Sequence, residues 1–158
     1  MQYSLVDLLK PEHVLVDLRA SSSQQAIRKL TRPLVRSGHV APAFATDVWE
    51  REQKFPTGLP TQPMATAMPH ADPDHVNRSA VAIAVLRSPV RFGQMGTDGS
   101  VVLDARIIFL LAIKEREKQV EMIQQLVSVI QNQSLLESLV AARDAQGVVD
   151  LIRTAPKA

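Results

Sequence analysis

Two apolar runs in the second half of the chain constrain its fold most strongly. Residues 80–86 contain only Ala, Val, Ile and Leu, and residues 107–113 are apolar throughout. Neither run alternates with polar residues, as a strand with one solvent-exposed face would. Each is long enough for a strand and too short to cross a bilayer. The two runs therefore predict strands that are buried on both faces, inside a layered α/β protein.

Helical patterns lie on both sides of these predicted strands. In residues 23–37 apolar positions recur every three or four residues, and Pro33 predicts a kink there, or a helix in two pieces. Residues 14–18 alternate and are partly β-branched, which predicts a further strand. The predicted helices span residues 4–10, 23–37, 42–54, 117–131, 135–142 and 148–152. We expect a single α/β domain over residues 1–158, with a mixed central β-sheet flanked by helices.

The composition excludes several kinds of site. The chain has no cysteine, which excludes disulfides, thiolate zinc sites and a cysteine nucleophile. Its 18 Lys and Arg against 16 Asp and Glu give a net charge of +2, weaker than the basic surface of a nucleic-acid-binding protein. No Walker-type phosphate loop or dinucleotide fingerprint occurs. Without a signal peptide or a spanning apolar run, we expect a cytoplasmic protein with no direct membrane insertion.

A proline-rich segment separates the two halves of the chain. Residues 55–74 contain five prolines and Gly58, so they predict loops and short edge strands, where functional residues are common. Within this segment, Pro69 fixes the backbone directly before His70. A neutral imidazole nitrogen can act as a nucleophile near pH 7, and phosphoryl transfer needs mainly positioning and charge stabilisation. Arg51 is the natural stabiliser, because a guanidinium matches phosphate oxygens.

The residues alone leave three interpretations of this segment open. His70 and His75 with Asp72 and Asp74 could form a metal cluster, although they lack the helical pair of histidines found in many zinc sites. The segment could also be a solvated loop without chemistry. The third interpretation is a phosphohistidine site at His70, which neither composition nor spacing identifies.

The order of the motifs resembles that of a known family. Arg51-Glu52, then residues 55–61 (FPTGLPT), then residues 67–70 (AMPH) resemble the active-site region of fructose/mannitol-type enzyme IIA proteins. These proteins belong to the bacterial phosphoenolpyruvate-dependent sugar phosphotransferase system. The resemblance covers roughly residues 5–152, and residues 56–63 and 71–76 are most similar to the galactitol branch.

This resemblance implies a function and a set of partners. His70 would accept a phosphoryl group from the phosphocarrier protein HPr and pass it to a cysteine of an enzyme IIB partner, which serves a membrane IIC permease for galactitol or a related polyol or sugar. Arg51 would stabilise the charge, Pro69 would set the geometry, and Thr57 and Gln119 would supply hydrogen bonds. No metal or other cofactor is implied. The alternative function is that of a regulatory IIA protein, whose phosphorylation state signals to other proteins.

Two further expectations concern the surroundings of His70. Many relatives carry a second histidine in a later helix, but here Gln119 stands at about that place and no histidine follows His75. A glutamine can donate a hydrogen bond, but it adds no charge. We also expect an apolar docking surface around His70 that includes two adaptable methionines. The expected members of this surface are Phe55, Leu59, Met64 and Met68.

Overall fold

The two apolar runs form neighbouring strands at the centre of a mixed sheet. A computed structural model describes residues 4–155, within which five strands pair in the order β1-β4-β5-β3-β2. The strands are β1 (Leu9–Leu18), β2 (Gly58–Leu59), β3 (Ala65–Ala67), β4 (Ala80–Gly93) and β5 (Val102–Ala112). The pairs β4–β5 and β2–β3 are antiparallel, whereas β1–β4 and β3–β5 are parallel.

Both faces of the central strands are buried, as the sequence predicts. Alternate residues of each strand enter two separate hydrophobic cores, because successive side chains of a strand point to opposite faces. On β4, Ile83 lies in the first core and Ala82 in the second. On β5, Phe109 lies in the first core and Leu110 in the second. The sheet therefore needs a helical layer on each side.

Helices supply those two layers. The helices are α1 (Ser23–Arg36), α2 (Phe44–Lys54), α3 (Arg116–Ile130), α4 (Gln133–Ala141) and α5 (Ala145–Thr154). The apolar stripes of α3, α4 and α5 pack into the first core, and those of α1 and α2 into the second. This arrangement confirms the predicted mixed sheet flanked by helices. Within residues 4–155, no helix is both long and apolar enough to span a membrane.

Two local predictions are wrong. Residues 4–10 do not form one helix: a single 3-10 turn, Leu5–Leu8, is followed directly by β1, whose Leu9 pairs with Val81. Pro11 lies inside this strand, at the edge of the sheet, where a missing N–H is tolerated. Of the two alternatives for Pro33, a helix in two pieces is wrong, since α1 continues without a break from Ser23 through Pro33 to Arg36.

The proline-rich segment crosses one edge of the sheet. Its strand β2 is the edge strand, and β3 lies between β2 and β5. The prediction of short strands is confirmed, although β3 is an inner strand. The chain after β3 continues beside β5, where the Leu111 N–H donates to the Pro69 carbonyl over 3.1 Å. Because His70 follows, it is held at the end of β3 by the sheet itself.

Candidate functional site

The ring of His70 is fixed in one orientation and one tautomer. Nδ1 lies 2.8 Å from the carbonyl oxygen of Met68. A carbonyl can only accept, so Nδ1 carries the proton and, in the neutral ring, Nε2 carries a free lone pair. Within residues 4–155, Nε2 makes no hydrogen bond, and His70 remains 8% exposed.

Burial keeps this ring neutral near pH 7. Desolvation is the largest influence and lowers the pKa of His70 below 6.5, because water no longer stabilises the charged ring. The hydrogen bond to Met68 raises the pKa, and the positive charge of Arg51 lowers it. A neutral ring with an unprotonated Nε2 is the nucleophilic form of histidine.

Arg51 presents an unused donor beside His70. It lies in the last turn of α2, and its guanidinium carbon sits 5.2 Å from the centre of the Phe55 ring, a cation–π contact. Its Nε is buried and has no hydrogen-bond partner among the residues that the structure describes. Buried donors are normally paired, so an unpaired guanidinium N–H next to a nucleophile fits an anion that is bound transiently.

An open cleft of about 260 Å³ adjoins these groups. His70 does not line the cleft itself, but its neighbour Ala71 does, together with Arg51. The full lining is Asp47, Glu50, Arg51, Lys54, Phe55, Ala71, Asp72 and Asp74. The cleft therefore gives an anionic ligand access to Arg51 and to the segment that contains His70.

A chain of hydrogen bonds anchors His70 to α2 through Glu52. The Glu52 carboxylate is 6% exposed and accepts from the Thr57 N–H at 2.9 Å and from the Thr57 hydroxyl at 2.7 Å. The Thr57 carbonyl accepts from the Met68 N–H at 3.3 Å, and the Met68 carbonyl accepts from His70. Burial raises the pKa of Glu52 to about 7, against the opposing effect of the Thr57 hydrogen bonds.

From the sequence, Glu52 is named only as part of a motif and is assigned no role, and Thr57 is expected to serve the phosphoryl group rather than Glu52. Thr57 is itself buried, and its hydroxyl proton is donated to Glu52. The sequence shows only that a glutamate precedes a threonine by five residues, and nothing in that spacing indicates a contact. The structure therefore places Thr57 in the support of the His70 segment, where its hydroxyl oxygen can still accept a hydrogen bond.

Helix α3 contacts the residue that follows His70. The Gln119 amide nitrogen donates to the Ala71 carbonyl over 3.0 Å, which uses one of its two N–H groups. At the start of the same helix, Arg116 pairs with Asp72 at 3.3 Å. Gln119 thus lies beside the His70 segment, as the resemblance implied.

The expected apolar docking surface is wrong in one member. Met68 is 1% exposed and belongs to the first core, so its side chain cannot contact a partner. Leu59 and Met64 are only partly buried, and Phe55 is 60% exposed. Val120, next to Gln119, is 64% exposed and was not predicted.

The four residues of the possible metal cluster have other partners. His75 is hydrogen-bonded to Asp47, and this contact raises its pKa. Asp72 and Asp74 both lie near the guanidinium of Arg116. Across residues 4–155, no group of three or more His, Asp or Glu side chains is arranged to hold a metal ion.

Comparison with known families identifies the class of protein. Residues 7–155 match the family described as "Phosphoenolpyruvate-dependent sugar phosphotransferase system, EIIA 2". The chain belongs to this family. It is an EIIA-type phosphoryl carrier domain, and so a phosphotransferase component.

The EIIA relatives differ in size and specificity. Multiphosphoryl transfer protein 1 of Escherichia coli K12 is 32% identical over 149 residues, which cover 93% of this chain but only 17% of that protein. The galactitol-specific EIIA component of Escherichia coli O6:H1 is 25% identical over 112 residues, 68% of this chain and 73% of that one. The fold is similar to that of enzyme IIAMtl in its complex with phosphorylated IIBMtl from Escherichia coli, with a TM-score of 0.77. The two sequences are 24% identical, and the match covers 93% of this chain and 98% of that one.

Proposed function

We propose that this EIIA domain carries its phosphoryl group on Nε2 of His70. The supporting observation is the hydrogen bond from Nδ1 to the Met68 carbonyl, which leaves Nε2 as the unprotonated ring nitrogen. Burial supports the same assignment, because it lowers the pKa of the ring and keeps it neutral at the pH of the cell.

The transfer step follows from this geometry. The Nε2 lone pair forms a bond to phosphorus as the bond between phosphorus and the donor breaks. The ring then becomes positively charged, and its Nδ1 proton stays in place, stabilised by the Met68 carbonyl. Arg51 donates to the phosphoryl oxygens through N–H groups that no described residue occupies. Gln119 adds a neutral donor, and Pro69 fixes the position of the ring.

The proposed donor is HPr, and the proposed acceptor is a cysteine of an enzyme IIB partner that serves an IIC permease. The similar fold of an enzyme IIA bound to phosphorylated IIB supports the second partner. Phe55 and Val120 are the exposed apolar residues suited to contact both proteins in turn. Galactitol or a related polyol is the proposed substrate of the system, supported by the galactitol-specific relative.

The test is phosphorylation with purified components. The protein is incubated with phosphoenolpyruvate, enzyme I and HPr, and its intact mass is measured. We expect a gain of one acid-labile phosphoryl group in the wild type and in His75→Ala, and none in His70→Ala. His75 is the matched control, because it lies five residues away and is more exposed than His70. Phosphorylation of His70→Ala, or none in the wild type, would overturn the proposal.

Addition of enzyme IIB separates transport from regulation. Loss of the phosphoryl group from His70 and its appearance on a IIB cysteine supports the transport function. A stable phosphoprotein that no IIB discharges supports the regulatory alternative, in which the phosphorylation state itself is read by other proteins.

A further inference from the structure

A groove between α1 and α2 lies apart from the His70 cleft and has a basic rim. Its volume is about 350 Å³, and it shares no lining residue with that cleft. It reaches α2 at Ala45, near the start of the helix, whereas Arg51 lies in its last turn. Asp47, which also lines the cleft, is only two residues from Ala45, but at 3.6 residues per turn the two positions are about 200° apart, on roughly opposite sides of α2.

Three arginines of α1 form the rim. Arg28, Arg32 and Arg36 are four residues apart, so they share one face of the helix, and all three are exposed. Among the described residues, none of them is in an ion pair. Like charges at this spacing destabilise a helix. No acidic residue lines the groove to offset them, so the rim is complementary to an anionic ligand.

The floor of the groove is apolar. It is formed by Val35 of α1, by Pro42 in the connection between the two helices, and by Ala45 of α2. Thr31 also lines it, but its hydroxyl donates to the Ile27 carbonyl over 2.7 Å and is therefore satisfied within the helix. A ligand for this site needs apolar as well as negatively charged groups.

We propose that this groove binds an acidic amphipathic helix of a protein partner. Carboxylates at positions i, i+4 and i+8 would pair with the three arginines, and an apolar side chain would enter the floor. A nucleic acid fits less well, since no aromatic side chain lines the groove for base stacking. A membrane fits less well too, because the large exposed apolar residues of the described chain all lie elsewhere.

The probe is a fluorescein-labelled synthetic peptide that carries three glutamates at i, i+4 and i+8 and leucines on the adjoining face. Binding is measured by fluorescence anisotropy, and a scrambled peptide of the same composition is the control ligand. We expect Arg32→Glu to weaken binding about tenfold, because attraction becomes repulsion. Arg143→Glu, an exposed arginine between α4 and α5 on the other side of the sheet, is the matched control and should change little.

A charge swap tests the register of the contact. A peptide with lysine at the central glutamate position should bind Arg32→Glu more tightly than it binds the wild type. Circular dichroism confirms that both variants are folded. The proposal is overturned if the peptide does not bind, if Arg143→Glu weakens binding equally, or if phosphatidylglycerol vesicles or a single-stranded oligonucleotide bind more tightly through Arg32.

Discussion

The ring of His70 donates through Nδ1 to the carbonyl of Met68, two residues earlier in the chain, over 2.8 Å. This contact joins the nucleophile to the backbone of its own segment, so the tautomer does not depend on a mobile side chain. The proton on Nδ1 and the lone pair on Nε2 are set by the same backbone oxygen that will stabilise the charged ring.

The first prediction concerns the titration of His70. Nitrogen-15 NMR of histidine-labelled protein should give a pKa below 6.5 for His70, because burial opposes the charged ring, and a pKa above 6.5 for His75, because Asp47 stabilises its charge. His75 is thus an internal control in the same sample. A pKa at or above 6.5 for His70 would contradict the account of a ring kept neutral by burial.

The lowered pKa of His70 also makes the free energy of unfolding depend on pH. The unfolded chain binds a proton at His70 near pH 6.5, before the folded protein does. The free energy of unfolding should therefore decrease as the pH falls below 6.5, and the variant His70→Gln should lose that part of the pH dependence. Urea denaturation at several pH values measures both.

The second prediction concerns Glu52, whose carboxylate accepts two hydrogen bonds from Thr57. In Glu52→Gln one amide oxygen replaces two carboxylate oxygens, so one Thr57 donor loses its partner, at a cost of about 1–3 kcal/mol. Because Thr57 holds Met68, we expect phosphorylation of His70 to slow several-fold. Rapid-quench assays with phospho-HPr measure the rate, and Glu137→Gln, at an exposed position of α4 outside the cleft, is the control.

Glu52 makes the free energy of unfolding depend on pH in the direction opposite to that of His70. In the folded protein the pKa of Glu52 is about 7, above the ordinary 4.5, so the folded state binds this proton more tightly than the unfolded chain does. The resulting contribution to the free energy of unfolding is complete below pH 4.5 and is lost as the pH rises to about 7. The loss amounts to roughly 3 kcal/mol, at about 1.4 kcal/mol for each unit of pKa. The free energy of unfolding of Glu52→Gln should lack this decline; an unchanged pH dependence would show that Glu52 keeps an ordinary pKa.

The third prediction concerns the shape of the Arg51 side chain. Arg51→Lys keeps the positive charge but removes the planar set of N–H donors, so phosphorylation of His70 should slow by about a hundredfold. Thermal stability should change little, since Arg51 makes no ion pair among the described residues. Lys54→Gln, in the same cleft, is the control for loss of charge alone. A normal rate in Arg51→Lys together with a slow rate in Lys54→Gln would mean that only the overall charge matters.

The fourth prediction separates a core residue from a docking residue. Met68→Gln should lower the free energy of unfolding by about 2–4 kcal/mol, because it buries an amide without a partner. Val120→Ser should leave stability nearly unchanged, because its side chain is exposed, and should raise the KM for phospho-HPr, because Val120 is a proposed contact of that partner. Thermal melts and phosphotransfer kinetics on both variants check this. Normal stability of Met68→Gln would contradict the burial of that side chain.

The sequence predicts the parts of this fold that depend on periodicity. The central strands could be predicted because burial on both faces leaves apolar runs without alternation. The start of β1 could not, since residues 4–10 suit a helix locally, and Leu9 and Lys10 join the strand only through the pairing of β1 with β4. The site shows the same division: motif order points to His70 and Arg51, whereas the Glu52–Thr57 contact and the burial of Met68 depend on how distant segments pack.

The most direct test of the account is to identify the phosphorylated atom. Protein labelled with nitrogen-15 histidine is phosphorylated with phosphoenolpyruvate, enzyme I and HPr, and phosphorus–nitrogen couplings are recorded by NMR. The account predicts one coupling, to Nε2 of His70, with Nδ1 still protonated and hydrogen-bonded to Met68. A coupling to Nδ1 of His70, or to any nitrogen of His13, His39 or His75, would contradict it.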